Sequence, residues 1–324
     1  MKYLVILASV LALFTSNCDI WDDEQKHVYS FPGGIMYPIW RPGTDLGGIY
    51  TPSWSPDSSS ILFVRNNNEL GITSPDGTDS KSLVTLPGTI HNPRWHPDAA
   101  RNEIVFINRL PISDYNMNTI YRMDVDEGHP NPVFETTEDI DFASFTFDGN
   151  QIVYMRLDDE GGLWRVPASG RVFQQSIENS SGWGTVLSLE CSPVDSTVAF
   201  FQAKDDEVNI YSISFGGGEP TRLTDFTFGG NQQILNNRSQ SARTYYLSWF
   251  KDGSRLVFTH LPCSDCNTYN SLDLFLLPAA GGEPTQIPSV TDRRTRPMTP
   301  SMSPDGKKMV VEDGGLWLIE LDGE

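Results

Sequence analysis

The sequence predicts an all-β protein: a six-bladed β-propeller of four-stranded antiparallel blades, the last blade closed by an N-terminal strand. Three observations carry this. One hairpin motif recurs six times along the chain. Gly and Pro, 27 and 22 of 324 residues, are spread throughout, as expected for many short strands joined by tight turns. Outside the first residues, no window of about 11 residues holds a helical period.

The repeat is an aromatic residue, then Ser-Pro-Asp-Gly or a decayed form, then an apolar run ending in an aromatic. The copies start at Trp54, Trp95, Phe145, Cys191, Trp249 and Met302, at intervals of 41, 50, 46, 58 and 53 residues. In five copies the first and last positions of the motif lie nine residues apart; in the second copy they lie two further apart. Pro-Asp-Gly is turn chemistry. Pro presets φ, Asp bonds its own backbone, and Gly accepts φ > 0. The turn therefore joins two strands, a and b.

A third strand follows: Leu70 to Thr73, Ile120 to Asp124, Leu163 to Pro167, Ile210 to Ile213, Leu272 to Leu277 and Leu316 to Leu321. A second turn comes next, for example Pro75-Asp-Gly77 or Gly281-Gly282, and then a short strand d, as in Lys81 to Leu86 and Pro220 to Thr224. Four antiparallel strands in about 50 residues make one propeller blade. The sixth unit lacks its d strand, and Ile35 to Trp40 is an orphan apolar segment. That segment is expected to close the ring as the missing strand, so the propeller spans 35–324.

The Trp-Ser-Pro-Asp hairpin at Trp54 and the string Gly217-Gly-Glu-Pro-Thr-Arg-Leu-Thr224 resemble TolB-type, WD40-like repeats over nearly all of residues 35–324. The resemblance implies a bacterial cell-envelope scaffold whose family partner is a peptidoglycan-associated lipoprotein. TolB carries an additional N-terminal α/β domain, which residues 19–34 are too few to form, so its specific role does not transfer. Related propellers precede a hydrolase domain of the prolyl oligopeptidase kind, and this chain ends with its propeller. Others are sugar-acid lyases with a His-held metal at the channel mouth.

The first residues read as an address. Met1 and Lys2 precede the apolar run Tyr3 to Phe14, which has the length of a signal-peptide core and is too short to span a bilayer. The run leads into Cys18, a lipoprotein-type pattern, although Asn17 stands where Gly, Ala or Ser is usual. Residues 1–17 are thus expected to be a signal peptide and Cys18 the lipidated first residue. Residues 18–34, with Asp19 to Gln25 acidic, are an exposed tether. The expected location is periplasmic or cell-surface, on a lipid anchor to the membrane.

The formal net charge is -19, which repels phosphate backbones and excludes nucleic acid as a natural partner. No Gly-x-Ser-x-Gly elbow, His-Glu-x-x-His or P-loop is present. No catalytic residue, cofactor or metal site is therefore assigned. The repeated Asp residues at 57, 98, 148, 252 and 305 fill turn positions. Of the five His, only His91 and His260 fall on the loop-bearing face, too few for an open catalytic metal site. Cys263-Ser-Asp-Cys266 is expected to be a local disulfide, with a metal half-site as the alternative. Cys191 is expected to pack as a small hydrophobe.

Binding is assigned to one face. The a–b and c–d turns are short. The d–a and b–c connections read as long: Phe134 to Phe142, Phe173 to Val186, Asp225 to Tyr245, Pro288 to Thr299, Asn108 to Asn118 and Thr259 to Ser271. Long loops on a rigid scaffold carry function. Trp183 and Phe228 in Gly-rich loops, and the basic cluster Arg293, Arg294 and Arg296, are the candidate contacts. The reading is a monomeric, non-catalytic propeller that binds a protein or cell-wall component there. The alternative is an enzyme, lyase or hydrolase, acting on an acidic saccharide at the channel mouth.

Overall fold

A computed structural model describes residues 29–31, 34–40, 48–157, 162–170, 174–177, 185–204, 207–227, 245–260, 272–288 and 298–321. The described residues are all strand, turn and connection, and form six antiparallel sheets. Blade 1 runs Ile49–Trp54, Ile61–Arg65, Glu69–Thr73 and Ser80–Thr85. Blade 2 runs Thr89–Trp95, Glu103–Ile112, Tyr115–Asp124 and Pro130–Thr136. Blades 3, 4 and 5 begin at Ile140–Phe145, Thr185–Cys191 and Leu247–Trp249. Blade 6 holds Met298–Met302, Lys308–Glu312 and Leu316–Leu321. The inner strands a touch in ring order, the sixth against the first.

Each core lies between neighbouring blades. Ile39, Leu316 and Leu318 of blade 6 pack on Ile49, Trp54 and Phe63 of blade 1. Phe201 and Ile210 of blade 4 pack on Leu247, Trp249 and Phe258 of blade 5. Burying such side chains supplies about 1.5–3 kcal/mol each. The repeated aromatic also ties blades by hydrogen bonds. The Trp95 indole N–H donates to the Ser53 carbonyl (3.0 Å) and the Trp249 indole N–H to the Glu190 carbonyl (3.1 Å), each in the preceding blade. The position before the aromatic accepts in turn: Ser301 Oγ takes the Trp54 N–H (3.0 Å) and Ser144 Oγ takes the Cys191 N–H (3.2 Å). Cys191 is buried, and burial pushes its thiol up to about 12, so it acts as packing.

The turn chemistry is as the motif requires. Ser303 Oγ donates to Asp305 Oδ1 (2.6 Å), Asp305 Oδ1 accepts the Lys307 N–H (3.1 Å), and Ser303 Oγ accepts the Lys308 N–H (2.9 Å). Ser55, Ser74 and Thr146 make the same hydroxyl-to-Asp bond in their turns. The Ser303 hydrogen bond leads the effects that hold the Asp305 carboxyl below its ordinary range. These aspartates are structural.

The ring closes as expected. Gly34–Trp40 pairs antiparallel with Leu316–Leu321, from Gly34 opposite Leu321 to Trp40 opposite Leu316. Tyr37 donates its hydroxyl to Glu320 (2.8 Å), which also meets Lys308 at 2.9 Å, so three strands of the blade share one polar clasp. Three features depart from expectation. Tyr29–Phe31 adds a fifth strand outside Gly34–Trp40, within the stretch assigned to the tether. Phe134 to Phe142 is not a long loop: strand d of blade 2 continues to Thr136 and the next blade starts at Ile140. Asn108 to Asn118 is not a loop either, because strands b and c run through it to a two-residue turn at Ser113 and Asp114.

Candidate binding face

The hairpin in blade 2 is the described element that extends the b–c and d–a face. Its base is clamped. Arg109 donates to Asn118 Oδ1 (3.0 Å), to Asp139 (2.5 Å) and to the Ile140 carbonyl (3.1 Å). Asn118 donates to the Glu138 carbonyl (2.9 Å), and Asn108 to the Pro87 carbonyl (3.1 Å). The hairpin root is thereby fixed to the connections on both sides of the blade.

Beyond that root the hairpin is amphipathic. Leu110 pairs with Met117 and Ile112 with Tyr115, so these four share one face, while Pro111 and Asn116 lie on the other. None of the four joins a described core cluster, and Tyr115 is 49% exposed. Large exposed apolar side chains of the opposite face are accounted for locally: the Phe147 ring lies tilted against Phe215 (centroids 6.2 Å apart), and Val194 sits over Gly253. The finger was legible as strict alternation at 110, 112, 115 and 117. The Pro, Ser and Asp within it masked that signal.

The central channel is crossed on the short-turn side. The residues before the six repeat positions are Ser53, Arg94, Ser144, Glu190, Ser248 and Ser301, all lining one narrow cavity of about 90 Å³. Arg94 reaches from blade 2 toward Glu190 of blade 4 (3.8 Å) and lies 4.9 Å from the Tyr246 ring of blade 5. Below it, Lys251 of blade 5 donates to the Pro97 carbonyl of blade 2 (2.6 Å). Three residues before the repeat position in strand a, Thr51, Asn92, Phe142 and Thr299 have φ between 44° and 50°, each beside a break in ladder register. Such backbone is costly for branched Thr and marks a constrained channel wall.

Burial pushes the Glu190 carboxyl up to about 7, and the Arg94 guanidinium only partly offsets it. A folded-state value above the unfolded one means the native state holds a proton the unfolded chain has lost. Stability at this site therefore falls as pH rises from about 4.5 to 7. Urea unfolding at pH 5 and pH 8 should show wild type losing roughly 1–3 kcal/mol more than Glu190→Gln over that interval. Equal losses would remove Glu190 as the titrating group.

His91 Nε2 lies 2.9 Å from Thr89 Oγ1, and its Nδ1 is 3.8 Å from Asp141. His260 is fully buried and stacked on Phe226 with ring centroids 4.1 Å apart, so it packs the blade 4–blade 5 interface rather than opening to a ligand. The described residues hold no group of three or more His, Cys, Asp or Glu placed for a metal ion. Cys18, Trp183, Phe228, Arg293, Arg294, Arg296, Cys263 and Cys266 lie outside the described residues.

No protein-family model matches the chain, and no curated protein matches it in sequence. Solved structures do match in fold. TolB from Acinetobacter baumannii superposes with a TM-score of 0.58 at 18% identity, covering 88% of this chain and 66% of that one. The chain thus spans just under two thirds of that TolB. A putative TolB from Agrobacterium tumefaciens gives 0.61 at 16% identity, covering 89% and 97%. Oligogalacturonate lyase from Vibrio parahaemolyticus gives 0.56 at 14% identity, covering 84% and 78%. At these identities the likeness shows the fold: a TolB-like six-bladed propeller.

Proposed function

We propose that this chain is an exported, lipid-anchored, non-catalytic propeller of the bacterial cell envelope. It binds an envelope protein or cell-wall component through its d–a and b–c face. The observation that carries the reading is the clamped, amphipathic finger of blade 2 on that face, joined to the TolB-like fold. The sequence assigns Trp183, Phe228 and the Arg293, Arg294, Arg296 cluster to connections of the same face, and in this reading they serve as further contacts. Tyr115 is exposed beside half-buried Leu110, Ile112 and Met117, and an aromatic anchor on such a rigid mount suits recognition, because little conformational entropy remains to be lost on binding. The test of binding is capture of envelope components by wild type and by a finger-less variant.

Anchoring rests on the run Tyr3 to Phe14 leading into Cys18. Labelled palmitate should enter wild type and be absent from Cys18→Ser. Equal labelling of the two would end the lipoprotein reading.

A second reading is favoured by the lyase among the structural neighbours: an enzyme acting on an acidic saccharide at the channel mouth, near His91. It predicts a stoichiometric metal in the purified protein and turnover of oligogalacturonate. The first reading predicts neither.

A further inference from the structure

The second hairpin turn is two residues longer than its counterpart in blade 1: Trp95 to Ile104 against Trp54 to Ile61. On the short-turn face, residues of this lengthened turn and of blade 1 line a groove of about 380 Å³. That volume falls in the range of small-molecule sites, about 300–1,000 Å³. Ala99, Arg101 and Asn102 of the long turn form one wall. Ser74, Asp79 and Lys81 of blade 1 form the other, over an apolar floor of Ile72, Trp95 and Val125.

The chemistry of the walls is specific. Hydroxyls dominate, and three carboxylates are set against two cations, so the groove is close to neutral in a chain of net charge -19. Thr73 is only 1% exposed, lines the groove, and its hydroxyl has no hydrogen-bond partner among the described residues. A buried hydroxyl left unpaired is costly, and a ligand hydroxyl or water would satisfy it. Lys81 is exposed and lines the groove. Asn102 Nδ2 donates to Asp126 Oδ2 (3.0 Å), which holds the amide on the groove wall. The groove therefore offers mixed donors and acceptors with little net charge, over an apolar base.

We infer that the groove between blades 1 and 2 is a binding site for an uncharged saccharide of one or two rings. Sugar hydroxyls match the alternating donors and acceptors of Thr73, Asn102, Asp79 and Lys81. The apolar edge of a sugar ring matches the Ile72, Trp95 and Val125 floor. The site lies on the face opposite the finger and does not depend on the envelope-binding reading.

The test is titration calorimetry of the full chain, with tryptophan fluorescence in parallel. The probes are maltose, cellobiose and N,N′-diacetylchitobiose, with digalacturonate and chitobiose as the acidic and cationic comparisons. At least one uncharged disaccharide should bind with a Kd of about 10 mM or below. Thr73→Val should weaken it about 5- to 10-fold, the loss expected for one hydrogen bond. Asn102→Ala should do the same and, being at the surface, should fold regardless of the Thr73 variant. Deleting Ala99 and Ala100, which restores the short turn, should abolish binding. Absence of binding by every uncharged probe, preference for a charged probe, or unchanged affinity in Asn102→Ala would each overturn the site.

Discussion

Deletion of residues 19–41 is expected to lower the melting temperature by about 10 °C or more, whereas deletion of 19–28 should barely change it. The longer deletion removes Tyr29–Phe31 and Gly34–Trp40, the latter being the strand that pairs with Leu316–Leu321. Met36 and Ile39 leave the cores on the two sides of blade 6. At about 1.5–3 kcal/mol for each buried side chain, their loss alone comes to about 3–6 kcal/mol. The Tyr37–Glu320 hydrogen bond and the backbone ladder go with them. A chain of this size shifts by about 2–4 °C for each kcal/mol, and the bare edge of Leu316–Leu321 would also invite association. The shorter deletion stops before Tyr29–Phe31 and so leaves the whole five-stranded sheet. Calorimetric scans of the two truncations decide it: equal melting would mean that the closing strand contributes nothing to the ring.

That closure was readable because two absences matched, a sixth unit short of one strand and an apolar segment with no partner near it in sequence. Ring closure turns both into one ladder. The hairpin of blade 2 was hidden for the opposite reason. Pro111, Ser113 and Asp114 are turn formers, and local composition outweighed the alternation of Leu110, Ile112, Tyr115 and Met117. Pairing along the full length of Glu103–Ile112 and Tyr115–Asp124 decides in favour of strand. The pair Arg94 and Glu190 shows a third case. Both occupy the position that is Ser in the other four repeats. The sequence thus marks the exceptions, but only the ring geometry brings blade 2 and blade 4 together at the axis. Likewise, two extra residues in one turn were visible at once, while the groove they open depends on where blade 1 stands.

Replacing Leu110–Met117 by Asn-Gly should reduce capture of envelope components at least about 10-fold while leaving the disc folded. The replacement keeps Arg109 opposite Asn118 as the last rung, so the clamp to Asp139 and the Glu138 carbonyl survives. An Asn-Gly pair suits the two-residue turn that this rung then needs. The eight residues removed belong to no described core cluster, so melting should stay within about 2–4 °C of wild type. The loss of capture would come from the apolar face. Tyr115, half-exposed and paired with Ile112, has the character of an anchor, and truncating such a residue costs about 2 kcal/mol or more where it seats in a partner. Tyr115→Ala alone should therefore weaken capture about 10-fold or more. Trp183→Ala and the double change Arg293→Glu, Arg294→Glu should add to it if those connections grip the same partner. Lys307→Glu, exposed in the blade 6 turn on the opposite face, should leave capture intact. Full capture by the finger-less protein, with loss in Lys307→Glu, would place the partner on the short-turn face.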